Sequence, residues 1–172
     1  LSLFALFLGN NLFVVDASAQ ATYSVNIPKQ TLRSYVDDIG LLARNMPGVL
    51  EAEPLADSTF LYRTEKELPL ARKLTTDFII KKTLVGDSVT IYRSTNIDAP
   101  NYMSCRVQLR SEDPGRTTIE IRLRVRLSRE DASQVHWLAP ILGEQFISDR
   151  MSEDMNVMLK DFISKSNSEL YR

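Results

Sequence analysis

Little in this chain is equipped for covalent chemistry. His136 is the only histidine and Cys105 the only cysteine. A Ser-His-acid triad or a His-rich zinc site has one centre to build on, and His136 lacks neighbours at triad or metal spacing. It reads as a structural or exposed imidazole beside Trp137. Cys105 has no activating neighbour and reads as a buried, inert thiol. Alone it makes neither a disulfide nor a multi-cysteine metal site. No Gly-rich phosphate loop, CxxC or HExxH occurs. No catalytic residue, metal or cofactor is expected from these residues. What they offer is reversible binding, through two sets of side chains. One is apolar and rich in methionine, which adapts to irregular partners. The other is basic: Arg106, Arg110, Arg122, Arg124 and Arg126. These form a patch for anionic headgroups or an acidic partner, or a merely solvated face.

Two periodicities define the elements that must position these sets. Thr117 to Leu127, TTIEIRLRVRL, alternates strictly. Ile119, Ile121, Leu123, Val125 and Leu127 fall on one side; Glu120, Arg122, Arg124 and Arg126 fall on the other. That is a strand with one buried and one wet face. Tyr102 to Arg110 precedes it across Asp113-Pro114-Gly115, a turn. Pairing Leu109 with Ile119 brings Val107 to Ile121, Cys105 to Leu123 and Met103 to Val125. All the apolar side chains then share a face, with Arg106 opposite Arg122 and Ser104 opposite Arg124 on the wet side. From about Leu142 to Leu170 the spacing turns helical: Phe146, Met151, Met155, Met158, Leu159 and Phe162 make a stripe.

A curved sheet closing on such a helix can surround a cavity. Its expected lining is Met103, Val107, Ile119, Ile121, Leu123, Val125, Met151, Met155, Met158 and Phe162, with Phe78, Ile80 and Ile91 closing the far side. The same residues could simply fill a core. A dry void of about 300 Å³ would cost about 7 kcal/mol, a large share of a domain's stability. Water, ligand or side chains would therefore occupy it. Candidate polar anchors are Tyr62, Tyr92, Arg150 and Asp154. The last two, four residues apart, also fit an exposed helix pair.

The chain has 172 residues, 44% hydrophobic and 25% charged, which suits one folded domain. Its 21 basic and 22 acidic residues lack the basic excess of a nucleic-acid binder, and no nucleic acid is expected as partner. Leu1 to Val15 carries no charge, and Ala17-Ser18-Ala19 is a small-x-small pattern. We read residues 1–19 as an export signal that the chain enters part-way, cleaved before Gln20, and residues 20–172 as the domain, periplasmic or secreted. An uncleaved anchor or a buried first element are the alternatives.

The rest reads as a strand over Ala21–Ile27, a helical region from Pro28 to Asn45, strands over Val49–Leu55 and Thr59–Leu68, and a hairpin of Thr76–Val85 and Ser88–Ser94 around Gly86-Asp87. The arginine-bearing hairpin and the terminal helix follow. The class is α+β, with a bent antiparallel sheet.

This order resembles the helix-grip fold of the START-like superfamily, also called SRPBCC. VNIPKQTLRSYVDDI is similar to its opening strand and Pro-initiated helix. RNMPGVLEAEPL resembles the Pro-Gly-Val junction of the superfamily's carbon monoxide dehydrogenase-associated branch. WLAPILGEQFISDRMSEDMNVMLKDFISK resembles the terminal helix with its Gly-containing entry. The likeness covers about Tyr23 to Leu170. It implies a β-α-β6-α grip with a cavity between sheet and terminal helix, and a hydrophobic small molecule or lipid as ligand, bound without catalysis. It leaves two alternatives: a polyketide cyclase-like enzyme in the same cavity, with Tyr62, Tyr92, Arg93 or Asp154 converging, and a protein-interaction module with a filled core.

Overall fold

The computed structural model describes residues 12–68 and 72–171. Residues 1–11 of the expected export signal lie outside them. The chain runs β1 (Phe13–Val25), α1 (Lys29–Asp37), α2 (Ile39–Asn45), β2 (Val49–Pro54), β3 (Thr59–Leu68), β4 (Arg72–Val85), β5 (Val89–Ser94), β6 (Asn101–Asp113), β7 (Arg116–Arg129) and, after a short 3-10 turn, α3 (Ala139–Leu170). The seven strands form one antiparallel sheet in the order β1-β7-β6-β5-β4-β3-β2. This is the expected helix-grip architecture, a curved sheet gripping a long C-terminal helix.

The β6–β7 register is the one the alternation predicts. Leu109 pairs with Ile119, Val107 with Ile121, Cys105 with Leu123 and Met103 with Val125. A one-residue slip would turn every buried side chain to water, so burial alone selects this pairing.

β1 differs from expectation. It begins at Phe13 rather than Ala21 and pairs with β7 over its whole length, from Phe13 opposite Arg129 to Val25 opposite Thr117. Val15, Ala17 and Ala19 are buried; Asp16, Ser18 and Gln20 are exposed. The small-x-small run is thus also a strand alternation, with alanines turned inward where α3 crosses close. A chain cut before Gln20 would lose Phe13–Ala19, the half of β1 that pairs with Leu123–Arg129.

α3 uses three adjacent stripes. Glu144, Ser148 and Ser152, four residues apart, accept hydrogen bonds from the backbone N–H groups of Val14, Asp16 and Ser18 at 2.6, 3.1 and 3.1 Å. The spacing works because four helical residues rise about 6 Å and two strand residues about 6.8 Å. The helix therefore seals an edge that would otherwise invite another strand. The next stripe, Ile147, Met151, Met155 and Leu159, faces the sheet, and the third, Leu142, Phe146, Arg150 and Asp154, faces outward beside it. Gly143 breaks the helix near its start at φ 79°, a conformation that disfavours any residue with a Cβ.

The helical region expected up to Asn45 is two helices. Asp38 takes an extended conformation between them, and its Oδ1 accepts from Leu41 N at 3.1 Å, capping α2. α1 is pinned to β5: Tyr92 Oη donates to Val36 O at 2.7 Å, and Thr90 Oγ1 donates to Asp37 Oδ1 at 2.7 Å.

Candidate functional site

The space between sheet and α3 is filled at one end and open at the other. Val107, Leu109, Ile119 and Ile121 share the packed core with Leu32, Val36, Leu159 and Phe162. Toward the β6 start and the β7 end, a cavity of about 490 Å³ remains. The interior is not solid, which removes the condition that a filled-core interaction module required.

Most of the expected lining is there. Phe78, Ile80, Met103, Leu123, Val125, Met151, Met155 and Met158 all border the cavity. Val107, Ile119, Ile121 and Phe162 do not; they are buried in the filled end. Ile91 belongs to neither. It stands opposite Thr83 and Arg106 on the outer face of the sheet, while its neighbour Tyr92 points in. The physical reason is the strand period: in β5 only Thr90, Tyr92 and Ser94 share the inner face.

The candidate polar anchors Tyr62, Tyr92, Arg150 and Asp154 all border the cavity, yet in different states. Tyr92 spends its hydroxyl on the Val36 carbonyl. Tyr62 is buried and its hydroxyl has no hydrogen-bond partner among the described residues. Burial pushes the Tyr62 phenol well above its ordinary pKa, so it stays protonated and can donate. Cys105 also borders the cavity; burial pushes its thiol up to about 12, which keeps it protonated and unreactive. Arg93, named for the enzyme alternative, is exposed on the outer face and does not converge with these groups.

Charges cluster at the mouth. Lys66 Nζ lies 2.7 Å from Asp154 Oδ2, and Arg150 Nε lies 3.6 Å from Asp154 Oδ1. Asp154 thus ties β3 to α3 across the opening. His136 also lines the mouth; its Nδ1 accepts from Leu138 N at 3.1 Å, and its ring stacks beside Trp137. Among the described residues no group of three or more His, Cys, Asp or Glu could hold a metal ion.

Much of the mouth is not legible residue by residue. Met46, Pro47 and Gly48 from the α2–β2 junction, Leu74 from β4, Val135 and Leu142 all contribute. The Met-Pro-Gly break after α2 is a visible signal of a turn, but nothing local says that the turn faces α3. Gly48, at φ 78°, sits so that a Cβ would lie 3.1 Å from the Glu65 carbonyl.

The five arginines do not form one patch. Arg106, Arg122 and Arg124 share a groove on the outer face with Arg93. Arg110 reaches Glu120 at 3.3 Å. Arg126 lies over the Tyr102 ring, 5.4 Å from its centroid, and donates to the Ile97 carbonyl.

No family model and no curated protein matches the chain by sequence. Solved structures do match by shape. The Zhui aromatase/cyclase from Streptomyces sp. R1128 superposes with a TM-score of 0.65 at 14% identity, over 91% of this chain and 94% of that one. A START superfamily protein from Mycobacterium smegmatis gives 0.64 at 14% identity, over 90% and 97%. The di-domain ARO/CYC BexL from the BE-7585A biosynthetic pathway gives 0.58 at 16% identity; the match covers 90% of this chain but only 50% of BexL. Sheet order, the terminal helix, the cavity between them and these likenesses agree: the chain has the START-like (SRPBCC) helix-grip fold.

Proposed function

We propose that the protein binds an apolar small molecule or lipid in the cavity between sheet and α3, and that it does so without catalysis. One observation carries the reading: about 490 Å³ of space whose inner wall is Phe78, Ile80, Met103, Leu123, Val125, Met151 and Met155, with charges only at the mouth. Left dry, that volume would cost about 12 kcal/mol at the usual rate of about 24 cal/mol per Å³. That equals a whole domain's stability. Water is a poor filler, because an ordered water needs 2–4 polar partners and this wall has few to give. An apolar guest removes the same surface from water at about 25 cal/mol per Å² gained. Tyr62, protonated and unpartnered, is placed to donate one hydrogen bond to it and set its orientation.

The test is a thermal-shift panel of fatty acids, quinones and fused-ring aromatics. A binding class should raise the melting temperature of the wild type more than that of Met151→Trp, which narrows the cavity. No shift with any class, together with no co-purified ligand by native mass spectrometry, would sink the proposal. The likeness to an aromatase/cyclase favours one second reading, ring closure of a guest held in the same cavity. Tyr62→Phe separates the two. A carrier loses only part of its affinity, whereas an enzyme converts a bound substrate and loses that conversion while still binding.

A further inference from the structure

We infer that the outer face of the sheet carries a second binding site, for a soluble, multiply charged anion of the phosphate class. Arg93 from β5, Arg106 from β6, and Arg122 and Arg124 from β7 border one groove of about 570 Å³. Ser18, Gln20, Ser104 and, from α3, Asn156 complete its polar wall.

The register explains how four guanidiniums meet. Arg93 lies opposite Ser104, and Ser104 opposite Arg124, in one cross-strand row. Arg106 lies opposite Arg122, and Arg122 opposite Gln20, in the next. Strands stand about 4.8 Å apart and same-face rows about 6.8 Å. The four side chains therefore bound a patch small enough for one compact anion to touch several of them.

This arrangement costs the sheet stability. Like charges directly opposite each other are destabilising, and here there are two such pairs, Arg106 with Arg122 and Lys81 with Arg93. The compensation is uneven. Asp16 grips Arg124 through two hydrogen bonds, and Glu120 sits 2.5 Å from Arg122. Arg93 and Arg106 have no carboxylate partner among the described residues. Two arginines are thus held in place by acids, and two face them with their charge unmatched. An anion between them would supply the missing partner through charge-assisted, forked hydrogen bonds that arginine is shaped to make.

The surroundings choose among anions. The apolar members of the groove, Ala19, Tyr102 and Leu123, are buried. Charge alone draws an acidic partner or a membrane surface close, but a stable protein interface centres on apolar anchors and firm membrane attachment on inserted side chains. This groove offers neither, and its clustered charges fit a small, soluble anion best.

Inorganic tripolyphosphate is the probe, titrated calorimetrically into the full chain at low salt. Wild type should bind, and added salt should weaken it. Arg106→Gln and Arg93→Gln should each lower affinity by about tenfold, the size expected for one lost charge-assisted contact. Arg116→Gln, on the same strand as Arg122 but outside the groove, should leave affinity unchanged. Arg106→Gln should also raise the melting temperature of the anion-free protein by relieving its clash with Arg122. The inference fails if tripolyphosphate gives no binding, if Arg116→Gln weakens it as much as Arg106→Gln does, or if the protein binds phosphatidate vesicles and not tripolyphosphate.

Discussion

The two ends of the β6–β7 hairpin have nearly the same composition and opposite fates. Near its turn, Val107, Leu109, Ile119 and Ile121 meet Leu32, Val36, Leu159 and Phe162 in a closed core. Near its open end, Met103, Leu123 and Val125 face the cavity. Both sets alternate inward with the same period. What differs is the cover. At the filled end α1 and the later turns of α3 both press on the sheet, whereas at the other end α2 and the α2–β2 junction only border the gap and α3 leans on the β1 edge through Glu144, Ser148 and Ser152. An apolar face is therefore necessary for a pocket and does not by itself make one.

Four changes probe that contrast, beginning with the most disruptive. A chain beginning at Gln20 removes the part of β1 beneath the open end, including the fully buried Val15 and Ala17. It should lose cooperative unfolding altogether, as followed by circular dichroism on heating. A native-like melt from that chain would instead show that Phe13–Ala19 is dispensable to the fold, as cleavage before Gln20 requires.

Next comes truncation at the two ends. Leu109→Ala, at a site only 1% exposed, should cost about 3 kcal/mol in urea unfolding. Met151→Ala, with the cavity already on one side, should cost about 1 kcal/mol, because it has fewer contacts to lose. Equal costs would mean that the open end is packed after all. Third, Met151→Trp should lose under about 1.5 kcal/mol, while the same enlargement at Leu109 should cost more, since only one end has room.

The mildest change is pH-dependent. Hydrogen bonding to Arg124 holds the Asp16 carboxyl below its ordinary range. The pair's stabilisation is therefore complete above the unfolded pKa of about 3.9 and disappears as pH falls through the lower folded value. Asp16→Asn should melt slightly below wild type at pH 7, and the difference should close in acid below about pH 4. A gap that persists or widens there would assign Asp16 a role other than its charge.

The parts of this structure that could be read from the residues are those set by neighbours in the chain. The β6–β7 register followed from apolar alternation and one Asp-Pro-Gly turn, because a slip would expose every inward residue. The α3 stripe followed from three- and four-residue spacing, except that Phe146 is exposed on the neighbouring stripe and Ile147 takes its place inside. One local pattern admits two readings. Ala17-Ser18-Ala19 suits a signal peptidase and equally suits a strand crossed closely by a helix. The reading of Ile91 failed because the outer row of β5 carries Val89 and Ile91 while its inner row is Thr90, Tyr92 and Ser94, so hydrophobicity pointed to the wrong face, whereas pairing with Arg106 marks the right one. The Ser148 and Ser152 caps follow the helical period but point to a strand 132 and 134 residues away.

Which side of each long strand and of the terminal helix turns inward was already written in the order of the residues, since backbone geometry repeats over two or 3.6 residues and needs no distant partner. Where those inward sides touch and where they stand apart emerged only once the chain was folded. A gap is a distance between elements far apart in the chain, here Met103 and Met155 on opposite walls, and no local period encodes it.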